Sequence, residues 1–152
     1  VKLFFESMDV VRSDVRKSLE GMDSRGLNWN PLPGEANSLY AIVSHMCSAE
    51  TYMIHRRIGG ISAAGEPHNA FADRGDNPQE LLSRLDEVYS TTRSLLEGLT
   101  AEDMDRAMDQ GGGRPPRTAR EWMGAHVRHM AQHLGHIEIT KQLFEAGIVT
   151  GR

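Results

Sequence analysis

The sequence predicts an all-α protein that folds as one four-helix bundle, and three observations lead to this class. Apolar residues recur at spacings of three and four in four separate segments, which is the period of an amphipathic helix. No segment shows the sustained alternation of polar and apolar residues that is typical of a half-buried strand. The length of 152 residues suits one hydrophobic core, so residues 1–152 are expected to form a single four-helix-bundle domain.

The first two helices are predicted over residues 3–22 and 36–57. The first ends near Gly21, and the connection over 28–34 contains two prolines, which remove backbone donors and disfavour helix before them. A long loop rich in Gly, Ala and Asn follows the second helix over 58–77. Loops of this length within one domain are often functional or cross the fold from end to end.

The third helix opens with a strong start signal. Asn77 is placed to cap the helix and Pro78 fits its first position, so the helix is expected to run from there to Gly98. Residues 100–103 are predicted to begin a short additional helical turn.

The fourth helix is predicted from a capping box. Thr118 is followed three residues later by Glu121, which is the reciprocal pattern of that motif. The helix is expected to reach about Ala146, where Gly147 is well placed as a C-terminal cap.

Loop lengths predict how the helices are arranged. The short link between the first two helices favours antiparallel neighbours. The long loop over 58–77 can return along the whole bundle and so make the second and third helices parallel. The expected topology is up-down-down-up.

Composition excludes several classes of protein. Lys and Arg number 17 against 21 Asp and Glu, giving a net charge of −4, which argues against a protein that coats nucleic acid. Mean hydropathy is −0.46 and no apolar run approaches the roughly 20 residues of a membrane helix. The first residues lack the pattern of a secretory signal. Cys47 is the only cysteine, which excludes an internal disulfide, and a cytoplasmic location is expected.

Four histidines form a stripe on the fourth helix: His126, His129, His133 and His136. At about 100° per residue their side chains fall within an arc of roughly 80°. Burying an unpaired imidazole costs on the order of 1–3 kcal/mol, and two rings at i and i+4 can instead converge on one metal ion. His129 and His133 are that pair, and His45 in the middle of the second helix is the candidate third ligand. Three imidazoles accept zinc, nickel, copper or iron.

Other interpretations of these histidines remain open. A single histidine such as His45 on an apolar face is more often a hydrogen-bonded core residue than a ligand. The stripe itself can also be a solvated or pH-sensing cluster that binds no metal. His55, at a helix end, and His68, in a loop, are predicted to be ordinary surface residues. Cys47 is about 200° from His45 around the helix, so we expect it to pack in the core rather than to react.

The segments that carry these histidines resemble the DinB/YfiT-like superfamily. The resemblance rests on His45 within Ser-His-Met-Cys-Ser-Ala-Glu, on the Trp-Asn-Pro-Leu-Pro-Gly stretch at 29–34, and on His-x-x-x-His at 129–133 followed by Gly135. It covers nearly the whole chain. Where relatives often carry Gln or another residue, this chain has His136.

The resemblance implies a homodimeric, metal-binding bundle with up-down-down-up topology. It implies that His45, His129 and His133 are the ligands, with zinc or nickel as the metal. Characterised relatives include thiol S-transferases and isomerases that use mycothiol, bacillithiol or glutathione, and some metal-dependent hydrolases. A low-molecular-weight thiol and a small-molecule substrate are therefore the expected partners.

Three functional hypotheses follow from the sequence. In the first, an open metal site lowers the pKa of a bound thiol or water, and His136 or His126 moves a proton. In the second, His136 is a fourth ligand that saturates the site of a non-catalytic or stress-response protein. In the third, the histidines are structural and the chain is an interaction module.

Four arginines in and after the Gly-Pro loop add a further hypothesis: Arg114, Arg117, Arg120 and Arg128. They can hold the carboxylates of an anionic thiol or substrate near the mouth of the site. The alternative, which we favour for the first three, is a solvated loop and helix start.

Overall fold

The computed structural model describes residues 1–61 and 68–148, and the regular elements of these ranges are helical. Their only β-type pairing is an isolated bridge between Met108 and Arg117. None of the described helices combines the length and apolar character that crossing a membrane requires. The α-helices are α1 (Lys2–Leu19), α2 (Ser24–Asn28), α3 (Leu39–Glu50), α4 (Pro78–Glu97), α5 (Ala101–Asp105) and α6 (Ala119–Glu145).

Side-chain caps determine where the helices start, as the sequence predicts. The Asn77 side chain accepts from the Gln79 amide at the start of α4. Thr118 and Glu121 form the reciprocal capping box of α6. At the other end of α6, Gly147 has φ +67°, a left-handed conformation that glycine adopts without steric cost.

The structure corrects three helix predictions. The first helix ends at Leu19 rather than at residue 22, because Gly21 turns the chain with φ +73°. The second begins at Leu39 rather than at residue 36, since the Ser38 hydroxyl accepts from the Ala41 amide and caps it there. α2 has no counterpart among the predicted helices, and its cap is the Asp23 side chain.

The second predicted helix ends in a π-helical turn, Thr51–Arg56, that directly continues α3. Each residue of a π turn advances less around the helix axis than in an α-helix, so later side chains point elsewhere than a regular helix predicts. The long loop that follows contains a 3₁₀ turn, Ala70–Ala72, and its segment 62–67 lies outside the described residues.

Side-chain contacts define the helix directions. Lys141 near the end of α6 donates to the backbone carbonyl of Lys17 near the end of α1, so these helices are parallel. The ring contacts between α3 and its continuation and α6 show that these two helices are antiparallel. α3 is parallel to α4, whose Thr92 near the C-terminal end donates to Glu50 at the end of α3. Tyr89 of α4 donates to Asp9 in the first half of α1, and Arg16 in its second half pairs with Asp86, so α1 and α4 are antiparallel. The predicted up-down-down-up topology is confirmed.

One expectation about neighbouring helices is wrong. Helix packing runs around the bundle from α1 to α6, α3, α4 and back to α1, which leaves α1 diagonal to α3. The two helices are antiparallel as predicted, but they do not pack as adjacent neighbours. The link between them passes through α2, which packs on α3.

A buried polar cluster joins the four helices at the centre of the apolar core. Glu50 is fully buried, and its carboxylate accepts from Thr92 Oγ1 at 2.6 Å. Its second oxygen lies 3.5 Å from Nη1 of Arg12, which is itself 5% exposed, and 3.6 Å from Nε2 of the fully buried His126. Burial alone raises the pKa of Glu50, but His126, Thr92 and Arg12 outweigh it, and the pKa is lowered. Glu50 is therefore a buried carboxylate anion.

His55 belongs to the same polar region, which corrects its prediction as a surface residue. The π turn directs the ring inward, where its Nε2 lies 3.1 Å from the Val88 carbonyl and 3.0 Å from Thr92 Oγ1. Burial lowers the pKa of His55, which favours the neutral ring. His68 is exposed as predicted and lies 2.7 Å from the Asp73 carboxylate.

Removing Arg12 tests the buried charge pair. We expect Arg12→Leu to destabilise the fold by about 3–5 kcal/mol, because Glu50 then stays buried without its cation. Urea unfolding at pH 7 measures the change. The matched control is Arg106→Leu at a surface pair with Asp103, expected within about 0.5 kcal/mol of the parent. The double variant Arg12→Leu, Glu50→Leu should recover much of the loss, and equal effects at Arg12 and Arg106 would contradict the prediction.

Candidate metal centre

Three of the predicted histidines come together between α3 and α6. His45 of α3 faces His129 and His133 of α6, and one ligand nitrogen from each ring lies within 4.8 Å of the others. The ring centroids of His129 and His133 are 4.5 Å apart. The His45 centroid lies 5.2 Å from that of His129 and 4.8 Å from that of His133. We call these three residues the histidine triad.

Helix geometry explains this convergence. His129 and His133 are separated by one helical turn, so both rings leave α6 on the same side. His45 meets them because α3 packs antiparallel to α6. Nitrogens around a tetrahedral zinc are about 3.4 Å apart, so small ring rotations from the observed spacing are enough to close on one ion.

The triad is held in the neutral form that metal ligation requires. The pKa of His129 is lowered to about 4, first by burial and then by the neighbouring rings of His45 and His126. The pKa of His133 is also lowered to about 4, first by burial and then by the adjacent rings of the cluster. Burial lowers the pKa of His45 as well. At pH 7 all three rings are therefore neutral and able to donate a lone pair.

Unpaired ring nitrogens show that the residues present fit a metal ion. Nε2 of His129 and Nδ1 of His133 are buried and have no hydrogen-bond partner among the described residues. An unsatisfied buried nitrogen is costly, and coordination to a cation satisfies it. Imidazole nitrogen suits zinc, nickel, copper and iron.

Phe71, which was not among the predicted site residues, covers one side of the triad. Its ring stacks on His45 with centroids 4.2 Å apart and planes inclined by 19°. The 3₁₀ turn that carries it is capped by Asn69, whose side chain accepts from the Phe71 amide. The one feature of the sequence that could have identified Phe71 as a site residue is its aromatic side chain within a loop rich in Gly and Asn.

A pocket of about 290 Å³ borders the triad on the side of the C-terminal half of α6. Its walls are mainly apolar, with a few polar groups; the lining residues are Pro31, Glu35, Ala36, Asn37, Ile42, Phe71, His133, His136, Ile139, Thr140 and Leu143. His136 lies on this wall, its ring centroid 5.4 Å from that of His133. It is exposed and is not part of the group of nitrogens within 4.8 Å of one another.

His126 occupies a different environment from the other three stripe histidines. It is fully buried, with its ring centroid 6.1 Å from that of Phe4 and its Nε2 facing Glu50. It does not line the pocket beside the triad.

The arginines of the Gly-Pro loop do not line this pocket either. Arg120 pairs with Asp105 at 2.5 Å, and Arg117 lies over the ring of Trp122 at the start of α6. The exposed pair of Arg120 agrees with the alternative favoured from the sequence, in which these arginines belong to a solvated loop and helix start.

Cys47 is buried as predicted, and burial raises its pKa to about 11, so its thiol is unreactive at neutral pH.

Solved structures share this fold over nearly their whole length. A conserved protein from Enterococcus faecalis is similar with a TM-score of 0.75 at 17% identity, covering 93% of this chain and 95% of that one. A DinB-like protein from Bacillus cereus has a TM-score of 0.74 at 17% identity, and the match covers 100% of this chain and 96% of that one. YfiT from Bacillus subtilis is described as a probable metal-dependent hydrolase with an unusual four-helix bundle topology. Its TM-score is 0.73 at 17% identity, and the match covers 95% of this chain and 87% of that one. No curated protein matches the chain.

The bundle topology and the histidine triad define a protein of the DinB/YfiT-like superfamily, which confirms the resemblance seen in the sequence. The family model for mycothiol S-transferases matches residues 3–146. The chain belongs to that family.

The triad predicts a metal stoichiometry. We expect the purified chain, incubated with zinc or nickel and desalted, to hold about one ion per chain, and the double variant His129→Ala, His133→Ala to hold almost none. Elemental analysis by mass spectrometry measures both. His68→Ala is the matched control, because it removes an exposed histidine outside the triad. Equal metal content in the parent and the double variant would contradict the assignment.

The lowered pKa values predict a pH dependence for the metal-free chain. Unfolded histidines bind protons below about pH 6.5, whereas His129 and His133 in the fold resist protonation down to about 4. The unfolded state then binds more protons, so the free energy of unfolding should fall as pH drops from 7 to 5. Urea unfolding of EDTA-treated protein measures the slope. His129→Asn, His133→Asn should flatten it, and a flat curve in the parent would refute the prediction.

Proposed function

We propose that this chain is a divalent-metal-dependent thiol S-transferase. The observation that carries the proposal is the histidine triad, with its unpaired buried nitrogens, at the wall of a pocket. The match to the mycothiol S-transferase family supports a thiol as the activated group. Zinc or nickel is the proposed metal.

His45, His129 and His133 hold the metal in this proposal. When bound, the ion lowers the pKa of a thiol at the open position, which supplies a nucleophile at neutral pH. Phe71 fixes the plane of the His45 ring by stacking, and so orients one ligand. The apolar residues of the pocket limit water around the reacting atoms.

The proposed reaction is substitution at an electrophilic carbon. The thiol sulfur forms the new carbon–sulfur bond, the leaving group departs with the bonding electron pair, and the thiol proton must be accepted. His136 is the proposed acceptor, because it is exposed, lies on the pocket wall and can pass the proton to water. His126 is not assigned this role, since it is fully buried against Glu50.

The non-catalytic alternative requires His136 as a fourth ligand. Its place on the pocket wall, outside the group formed by the triad nitrogens, supports an open site instead. A hydrolase, with water in place of the thiol, uses the same ligands and is an outcome of the test below. The homodimer and the cytoplasmic location expected from the sequence remain predictions.

Thiol consumption tests the proposal. We expect metal-loaded protein to couple mycothiol, or another low-molecular-weight thiol, to a small aryl or alkyl halide, and His129→Ala, His133→Ala to be inactive. His136→Gln should keep its metal and lower kcat by about 100-fold, with an altered pH profile. His68→Gln is the matched control. Product is measured by chromatography.

Two outcomes would overturn this assignment. Metal-dependent cleavage of an ester without any thiol would identify a hydrolase. Metal content lost together with activity in His136→Gln would identify His136 as a ligand and favour the saturated site.

A further inference from the structure

An aromatic pair lies on the α3–α6 seam two helical turns from the triad. Trp122 precedes His129 by seven residues, which is about 10 Å along α6 on nearly the same face. Tyr52 follows His45 by seven residues on the facing element. The Tyr52 and Trp122 ring centroids are 6.3 Å apart in an edge-to-face arrangement. The interface between α3 and α6 therefore carries a second group of contacting side chains, at the end opposite the apolar pocket.

Three guanidinium groups surround these two rings. Arg57 lies 4.9 Å from the Tyr52 centroid and 5.9 Å from the Trp122 centroid, and it donates to Tyr52 Oη at 2.5 Å and to the Gln110 carbonyl at 3.4 Å. Arg117 lies 5.2 Å from the Trp122 centroid and Arg56 lies 5.9 Å from that of Tyr52. Tyr52, Arg56 and Arg57 line a pocket of about 290 Å³ together with Gly60 and Ile61. We call Arg56, Arg57 and Arg117 the arginine cluster.

The arginine cluster has no carboxylate ion pair among the described residues. Six other arginines each pair with an Asp or Glu of the same ranges: Arg12, Arg16, Arg84, Arg93, Arg106 and Arg120. Arg25, Arg74, Arg114 and Arg128 have no such pair either, but they do not line the pocket beside Tyr52. Glu121 is close enough to Arg117 for the arginine charge to help lower its pKa, but backbone and side-chain hydrogen bonds to Thr118 are the larger causes. Arg56 and Arg57 line the same pocket, and Arg117 lies on the neighbouring Trp122 ring, so an anion placed beside these cations is favourable.

Small residues connect the cluster to the triad. Ser48 and Ala49 of α3 and Ala125 of α6 lie between the two along the seam and are half-buried. These small side chains occupy the two helical turns that separate the triad from the arginine cluster.

We propose that the arginine cluster is an oxyanion-binding subsite for a small ligand whose reactive atom lies about 10 Å away, at the triad. Arg57 is its centre, because Tyr52 and the Gln110 carbonyl orient its planar fork. The ligand class is a carboxylate or phosphate ester whose body extends along Ser48, Ala49 and Ala125 toward the triad. The part of this proposal in which the ligand reaches the triad rests on the proposed function. Oxyanion binding by the arginines is independent of it.

Tryptophan fluorescence tests the subsite directly. The chain has two tryptophans, and Trp29→Phe leaves Trp122 as the only reporter. Inorganic phosphate and citrate are titrated separately at constant ionic strength, in metal-loaded and in EDTA-treated protein. We expect saturable binding in both preparations, and at least ten-fold weaker binding in Arg57→Gln. Arg25→Gln, which removes an exposed arginine of α2 that also lies over an aromatic ring, is the matched control and should leave binding unchanged.

The outcomes separate this proposal from the proposed function. Saturation that survives EDTA but disappears in Arg57→Gln supports the subsite even if no S-transfer is found. With activity present, Arg57→Gln should raise KM for a carboxylated substrate and leave KM for its methyl ester unchanged. No saturation, or equal loss in Arg57→Gln and Arg25→Gln, would overturn the subsite. Circular dichroism melting checks that both variants fold.

Discussion

The antiparallel packing of α3 against α6 is the constraint on which the rest of the site depends. Four histidines on α6 lie within a narrow arc, yet small differences in angle and height place them in three environments. His126 faces the buried charge of Glu50, His129 and His133 face His45, and His136 reaches a solvent-exposed pocket wall. Identical side chains thereby acquire different chemistry from their position on one helix.

The buried cluster around Glu50 explains how this packing keeps its register. A carboxylate with no exposed surface needs compensation, and Arg12, Thr92 and His126 supply it from α1, α4 and α6. Because Glu50 lies five residues after His45, sliding α3 along α6 would separate the charge from its partners. The same interactions that offset its burial therefore hold His45 opposite the α6 pair.

Local signals account for what the sequence predicted. Caps at Asn77 and Thr118 depend on residues within one turn, and the i, i+4 pair on α6 depends on helix geometry alone. The π turn after Glu50, the burial of His55 and the stacking of Phe71 depend on contacts with distant segments. Periodicity carries no signal of those contacts. Loop length correctly predicted the helix directions but not which helices are adjacent, because antiparallel helices can also be diagonal.

The position of His136 decides between an open and a saturated site. A fourth tetrahedral ligand must bring its nitrogen within about 3.4 Å of the other three. His136 does not belong to the group of ring nitrogens that lie within 4.8 Å of one another, and its side chain is exposed. Turning it toward the triad would remove a polar group from the pocket and bury another imidazole. The nitrogens of His129 and His133 are already buried and unpaired, whereas His136 gains hydration where it lies. The cost of removing His136 from water therefore favours three metal ligands, with His136 left on the pocket wall. This arrangement leaves a coordination position for a substrate.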